Sequence, residues 1–89
     1  MKKKELLIEN KLGLHARAAA QIVKCANMYS SKVTFTRDSL DVDGKSIMGI
    51  MMLAAAKGST LLVTVQGDDE DDALEGLNAL FKNKFGEKE

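Results

Sequence analysis

The residues of this chain best suited to chemistry are its only histidine, His15, and Arg17 two positions later. Gly13 breaks the chain just before them, and the run 18–23 is strongly helix-forming. This pattern predicts that His15 lies at the start of a helix. Because the N-terminal end of a helix attracts anions, a nucleophilic imidazole there can hold a phosphoryl group.

Two further features of this helix start would help to bind a phosphoryl group. The backbone N–H groups of Ala16, Arg17 and Ala18 have no acceptor within a helix that starts here, so we expect them to face the phosphate oxygens. The Arg17 guanidinium can add charge-assisted hydrogen bonds, and its unfavourable place at the positive end of the dipole argues for a function. The alternative is a surface histidine that caps the helix, and this segment alone leaves both open.

Composition excludes several other kinds of function. A chain of 89 residues suits one domain, residues 1–89, and its 13 basic and 13 acidic side chains cancel, so we expect no nucleic-acid partner. One cysteine and one histidine are too few for a structural zinc site, and we expect no metal and no other cofactor. No apolar run is long enough for a membrane span or a signal peptide, so we expect a cytoplasmic monomer without membrane insertion.

Hydrophobic periodicity predicts the element order β-α-β-β-α-β-α. The strands are expected at 5–10, 32–37, 40–43 and 60–66, and the helices at 16–28, at 47–54 and from 68–72 onward. Alternation in the strands leaves one sheet face in water, so the helices must all cover the other face. The result is a two-layer α+β domain.

Several local predictions accompany this order. Lys2, Lys3 and Lys4 are expected to form a solvated tail, and the residues after Lys82 a frayed one. The second and third strands should form a hairpin in which Leu40 and Val42 point inward. The acidic run 68–72 is interpreted as a solvated helix start, and Cys25 as a packing residue.

Three motifs lie in the order and at the spacing found in one known family. They are Gly13-Leu14-His15-Ala16-Arg17, Asp43-Gly44-Lys45-Ser46-Ile47-Met48-Gly49 and Ala56-Lys57-Gly58. Through them nearly the whole chain resembles HPr, the histidine phosphocarrier of the bacterial phosphoenolpyruvate phosphotransferase system. The resemblance implies an open-faced β-sandwich, with three helices on one side of a four-stranded antiparallel sheet.

The same resemblance implies a phosphoryl relay. Enzyme I would phosphorylate His15, and the phosphoryl group would then pass to a IIA protein or domain. Arg17 matches the phosphate-contacting arginine of the family. The chain would therefore be a stoichiometric carrier with a covalent phosphohistidine intermediate, and not an enzyme.

Ser46 matches the regulatory serine that HPr kinase/phosphorylase phosphorylates in some bacteria. From its position it is also the expected N-cap of the second helix, and one hydroxyl can serve both purposes. Beside it, Ile47, Met48, Met51 and Met52 exceed what so short a helix can bury, because Ile50 and Leu53 already point the other way. We expect Ile47, Met48 and Met51 to dock a partner protein, with core packing as the alternative, and assign no role to Met52.

Two positions depart from the common pattern of the family. Ala18 stands where most HPr sequences have proline, and Leu12 where sugar-system proteins usually have Ser, Thr or Asn. Both departures are similar to NPr, the nitrogen-related paralogue. The two branches share the transfer chemistry and differ in the Enzyme I and IIA partners that they meet, so the branch stays open.

Two other classes of function remain for comparison. A docking-only regulatory module of the HPr type would lack the histidine, and the pair His15 and Arg17 argues against it. An RNA-binding α+β module needs aromatic side chains on the open sheet face, whereas alternation turns Phe35 inward.

Overall fold

The structure, a computed structural model, describes residues 1–89 and confirms the predicted element order. A short 3-10 turn follows the last helix. The elements are β1 (Lys2–Leu7), α1 (Ala16–Ala26), β2 (Lys32–Arg37), β3 (Leu40–Asp43), α2 (Ile47–Met52), β4 (Thr60–Gln66), α3 (Glu70–Lys82) and the 3-10 turn (Lys84–Gly86).

The four strands form one antiparallel sheet in the order β1-β4-β2-β3. At its centre Phe35 of β2 lies between Val63 of β4 and Val42 of β3, and all three side chains are buried. On the opposite face Thr34 pairs with Thr64, and both remain partly accessible to solvent. One face is therefore apolar and covered, as the alternation predicted.

All three helices pack on that apolar face, which confirms the predicted two-layer arrangement. Ile22 of α1, Ile50 of α2 and Leu77 of α3 are completely buried in one core cluster with the sheet. Phe81 of α3 stacks on Phe35 with ring centroids 5.9 Å apart. Through Ile22, this shared core fixes the position of α1 relative to the sheet.

The first strand lies earlier in the chain than the 5–10 predicted for it. Lys2 and Lys4 are not a free tail, because they pair with Val65 and Val63 of β4 and lie on the helix side of the sheet. There the Nζ of Lys2 lies 3.5 Å from a carboxylate oxygen of Asp71 in α3. Inward lysines hide the apolar alternation that marks a strand, and charged residues of this kind protect the open edge of a sheet.

Two helices end earlier than predicted. The first ends at Ala26 rather than at 28, and the second at Met52 rather than at 54. Ala54 has φ +48°, in the left-handed region, and Arg37 donates a hydrogen bond of 2.8 Å to the carbonyl oxygen of Leu53. A left-handed residue and a bound carbonyl are both typical of a helix C-terminus.

The hairpin between β2 and β3 is confirmed. Leu40 lies on the inward sheet face with Val42, as predicted, but it is not buried. Its side chain is 39% exposed at the edge of the sheet, whereas Val42 is buried as predicted. Asp38 and Ser39 both have positive φ, as the two central residues of a tight hairpin require.

The acidic run at the start of α3 is less solvated than predicted. Asp69 accepts hydrogen bonds from the backbone N–H groups of Ser30 and Ser31, at 2.8 and 2.9 Å, and from the Ser31 hydroxyl at 2.5 Å. The Ser31 hydroxyl, followed by the Ser30 N–H, lowers the pKa of Asp69 below its ordinary value. This carboxylate therefore fastens the loop between α1 and β2 to the start of α3.

The segment after Lys82 is ordered, and the prediction of a frayed tail was wrong. Phe85 is buried and meets the ring of Phe81 edge-on, with centroids 4.9 Å apart. Beyond it, the carbonyl oxygen of Glu89 accepts a 2.7 Å hydrogen bond from the backbone N–H of Lys11. The aromatic residue anchors this segment, so the chain returns to the loop that precedes α1.

Candidate functional site

The loop before α1 is fixed by a buried asparagine and a glycine. Asn10 is fully buried, and its Nδ2 donates a 2.9 Å hydrogen bond to the carbonyl oxygen of Gly13. Gly13 has φ +68°, and a Cβ at this position would lie 2.6 Å from the carbonyl oxygen of Ala55. Leu14 donates its N–H to that same oxygen at 3.0 Å. The loop therefore has one well-defined path into the helix.

His15 is the N-cap residue of α1, as the sequence predicted for the helix start. Its backbone is extended, and its carbonyl oxygen accepts the first helical hydrogen bond, from Ala19 at 2.9 Å. Its imidazole makes no capping hydrogen bond, so the alternative of a capping surface histidine was wrong. The ring instead contacts Glu87 and is 29% exposed.

Three backbone N–H groups are unpaired at this helix end. Those of Ala16, Arg17 and Ala18 donate to no backbone acceptor, because α1 begins its hydrogen-bond ladder with Ala19. They lie in the first turn after His15, where Ala16 and Arg17 are exposed and Ala18 is completely buried. The two exposed donors, with the positive end of the helix dipole behind them, are suited to binding an anion.

Arg17 is exposed and forms no ion pair or side-chain hydrogen bond within the chain. It lines a groove of about 900 Å³ together with His15, Lys11 and Lys88. A guanidinium without a protein partner keeps its donors free for a ligand. The groove is lined by three basic and two acidic side chains, and among the basic ones Lys11 is paired with Glu89.

Sequence reasoning missed Glu87, the residue that contacts the His15 ring directly. Its Oε2 lies against Nε2 of His15, and its Oε1 accepts a 2.9 Å hydrogen bond from Nδ2 of Asn10. The Glu87 side chain is only 16% exposed. Glu87 is 72 positions away from His15, and no local pattern links the two.

The surroundings of Glu87 keep its carboxyl group ionised. Burial raises the pKa of Glu87. The hydrogen bonds from Asn10 and His15, together with the charges of His15 and Arg17, lower this pKa by a larger amount. The net effect is a pKa below the ordinary value for glutamate. A carboxylate, and not a carboxylic acid, therefore faces Nε2 near neutral pH.

Ser46 is the N-cap of α2, as predicted. Its hydroxyl oxygen accepts a 3.1 Å hydrogen bond from the backbone N–H of Gly49, and the side chain is partly exposed. The hydroxyl lies at the surface beside the apolar side chains of the same helix.

The exposed side chains of α2 are the apolar ones that the helical spacing predicted. Met48 is 78% exposed, and Ile47 and Met51 are also well exposed, whereas Ile50 and Leu53 are buried. None of these three residues belongs to the buried core cluster. We call Ile47, Met48 and Met51 the α2 patch.

Other candidate chemistry is absent from the structure. No group of three or more His, Cys, Asp or Glu side chains could hold a metal ion. Cys25 packs against the core, and burial raises the pKa of its thiol, which lowers its reactivity. None of the helices combines the length and the apolar character that crossing a membrane requires.

Comparison with known proteins agrees with this geometry. A family profile described as the phosphorylation site of the PTS HPr component matches residues 2–83. The phosphocarrier protein HPr of Cupriavidus necator is 48% identical over 89 residues and covers all of both chains. The protein of the same name from Pseudomonas aeruginosa is 51% identical over 86 residues, 96% of each chain. The chain belongs to the HPr family.

Solved HPr structures have the same fold. The crystal structure of HPr-C-His from Thermoanaerobacter tengcongensis matches with a TM-score of 0.95 and 43% identity, and the match covers all of both chains. The open-faced HPr architecture expected from the sequence is therefore confirmed. The chain is therefore a phosphocarrier protein of the phosphotransferase system.

Proposed function

We propose that His15 of this HPr accepts a phosphoryl group from Enzyme I and passes it to a IIA protein or domain. The observation that carries the proposal is the His15 imidazole directly before three unpaired backbone N–H groups, those of Ala16, Arg17 and Ala18. These donors are in place before any phosphate arrives. Preorganised donors of this kind are the main source of electrostatic stabilisation for a developing anion.

The transfer is a displacement at phosphorus in both directions. The lone pair of a ring nitrogen forms the new N–P bond while the bond from phosphorus to the donor breaks, and the electron pair of that bond leaves with the donor. The acceptor protein then displaces the imidazole in the same way and restores His15. One histidine carries one phosphoryl group, so the protein acts as a stoichiometric carrier and not as an enzyme.

Arg17 is proposed to bind the phosphoryl oxygens during the transfer. Its guanidinium has no partner within the chain and lies in the same groove as His15. Because it stands at the positive end of α1, its charge is unfavourable until an anion binds. A phosphate dianion removes that penalty and accepts hydrogen bonds from the planar guanidinium.

The α2 patch is proposed as the surface on which Enzyme I and the IIA partners dock. Four exposed apolar side chains on one short helix, the α2 patch and Met52, are more than its own packing requires, and methionine adapts to partners of different shape. Ser46 borders the patch, so its phosphorylation by an HPr kinase/phosphorylase would place a dianion within the docking surface. We propose that this modification regulates the relay.

Intact mass spectrometry tests the carrier function. After incubation with phosphoenolpyruvate and Enzyme I, the wild-type chain should gain one acid-labile phosphoryl group, and His15→Ala should gain none. Ser46→Ala is the matched control and should be phosphorylated like the wild type. A phosphoryl group on folded His15→Ala would exclude His15 as the acceptor. Running the reaction with sugar-system and nitrogen-system Enzyme I in parallel identifies the branch, because each should prefer its own carrier.

A further inference from the structure

We propose that Glu87 is a positioning residue that keeps the proton of neutral His15 on Nε2 and so presents Nδ1 as the nitrogen that accepts the phosphoryl group. The proposal rests on the proposed function of His15. The geometric basis is the contact between Oε2 of Glu87 and Nε2 of His15. A carboxylate can only accept a hydrogen bond, so Nε2 must carry the proton, and the lone pair of the neutral ring lies on Nδ1.

Glu87 is itself held in place by residues on both sides of it. Its second carboxylate oxygen, Oε1, accepts a hydrogen bond from the buried Asn10, whose amide also binds the carbonyl oxygen of Gly13. Phe85 is anchored in the core two residues earlier, and Glu89 bonds to Lys11 two residues later. The carboxylate therefore has a defined position in front of the ring.

The backbone before Glu87 carries an energetic cost that points to the same function. Lys84 and Phe85 both have positive φ, at +55° and +58°, and Gly86 follows at +82°. Non-glycine residues rarely adopt this conformation, because it brings Cβ too close to the following carbonyl oxygen. These residues turn the chain so that Phe85 enters the core while Glu87 returns to His15. Strain of this kind persists only where surrounding contacts enforce it.

A carboxylate at Nε2 also suits the chemistry at Nδ1. When Nδ1 attacks phosphorus, positive charge develops on the ring, and the Glu87 carboxylate stabilises it through the Nε2–H bond. The same arrangement, a nucleophile or base whose imidazole is oriented by a carboxylate, is common in enzymes. The two ring nitrogens point away from each other, so the incoming phosphoryl group and Glu87 occupy opposite sides of the ring.

The first test measures the tautomer of unphosphorylated His15 from the ¹⁵N chemical shifts of its ring at a pH where the ring is neutral. In the wild type the proton should be on Nε2 alone. Glu87→Ala should give a mixture of both tautomers, and Glu87→Gln should retain a larger Nε2–H fraction, because its amide oxygen still accepts a hydrogen bond. Glu89→Gln, a change in the same segment that leaves the His15 ring untouched, should behave like the wild type.

The second test measures phosphoryl transfer from Enzyme I to the same variants. Glu87→Ala should lower the rate at saturating carrier about tenfold, the lower end of the effect of removing the hydrogen-bond partner that orients a metal-bound imidazole, with little change in apparent affinity. Glu87→Gln should recover part of that rate, and Glu89→Gln should match the wild type. Rates and tautomers that are the same in all variants would overturn the proposal. Faster phosphoryl transfer to Glu87→Ala than to the wild type would also overturn the proposal. It would show that Glu87 obstructs the His15 ring and must move away before transfer.

The two tests separate this proposal from the proposed function. The tautomer measurement needs no phosphoryl donor, so it is decisive for Glu87 even if His15 proves not to be the acceptor. Conversely, phosphorylation of His15 with an unperturbed tautomer in Glu87→Ala would leave the carrier function intact and reject the role of Glu87.

Discussion

The start of α1 and the surface of α2 lie on the same side of the sheet but are built in opposite ways. Around His15 a chain of hydrogen bonds holds the ring: Asn10 binds Gly13 and Glu87, and Glu87 binds the ring. The six residues of α2 present exposed Ile47 and Met48, and the helix is held by its N-cap Ser46 and by the buried side chain of Ile50.

This difference matches the two tasks that we propose. Phosphoryl transfer needs donors and a nucleophile held to within a fraction of an ångström, so the first region is rigid and polar. Docking to several partners needs an apolar surface that can adapt, so the second region is rich in methionine. The comparison leads to predictions in which the two regions respond differently to substitution.

The largest effect is expected at Gly13. Gly13→Ala combines an unfavourable left-handed φ with a Cβ 2.6 Å from the carbonyl oxygen of Ala55, a backbone atom that cannot move freely. We expect a loss of about 2–5 kcal/mol in the free energy of unfolding. Thermal melting checks this, with a fall in Tm of about 10 °C or more.

Gly58→Ala is the matched control for this prediction. Gly58 also has positive φ, at +92°, but no atom lies within 4 Å of an added Cβ. Only the backbone penalty remains, about 1 kcal/mol. Equal losses in the two variants would mean that the loop before His15 is no more tightly fixed than an open turn.

Ser46→Asp is expected to weaken docking without loss of the fold. Aspartate is itself a good N-cap, so it can replace the hydroxyl that binds Gly49. Its charge would have to be desolvated beside the α2 patch when a partner binds, and we expect the apparent affinity for Enzyme I to fall about tenfold. Initial rates measured against carrier concentration give this affinity.

Ser46→Asn controls for the size and capping ability of the new side chain. It caps the helix without adding charge, so its affinity for Enzyme I should stay close to that of the wild type. If a folded Ser46→Asp keeps the wild-type affinity, α2 is not the docking surface.

A smaller effect is expected in the dependence of stability on pH. The pKa of Glu87 is lower in the folded protein than in the unfolded chain. The ionised Glu87 carboxylate therefore contributes its full stabilisation above the ordinary pKa of a glutamate, about 4.3. This stabilisation is lost as the pH falls through the lower pKa that Glu87 has in the folded protein. Glu87→Gln should lose this component, so its Tm should approach that of the wild type in acid. A constant Tm difference between pH 7 and pH 3 would contradict the assignment.

The two regions also differ in how much of each could be predicted from the sequence. The helix start at His15 and the N-cap at Ser46 depend on residues within a few positions of each other, and local patterns predicted both. The contact with Glu87 depends on where Phe85 enters the core, which only the packed structure determines. The polar residues after Lys82 therefore led to the prediction of a frayed end. In the structure this segment is ordered and places Glu87 against His15.

Charge patterns misled the prediction in the same way at two other places. Lys2 and Lys4 are strand residues whose side chains lie beside acidic α3, so their charge hid the strand. Asp69 was interpreted as solvated, although its carboxylate binds Ser30 and Ser31 across the fold. In each case the partner is distant in sequence, and a charged side chain alone does not reveal whether one exists.

The most direct test of the central claim compares Arg17→Ala with Met48→Ala in one experiment. The claim is that the start of α1 performs the transfer and the α2 patch performs the docking. The measurement is the initial rate of phosphoryl transfer from Enzyme I against carrier concentration.

Arg17→Ala should lower the saturating rate by about 10- to 100-fold, because the transition state loses a charge-assisted hydrogen bond. The apparent affinity for Enzyme I should change less. Met48→Ala should weaken the apparent affinity several-fold and leave the saturating rate unchanged. Both side chains are exposed, so the two folds should remain stable. The reverse pattern, with Arg17→Ala affecting only affinity and Met48→Ala only the saturating rate, would contradict the division of tasks between the two regions.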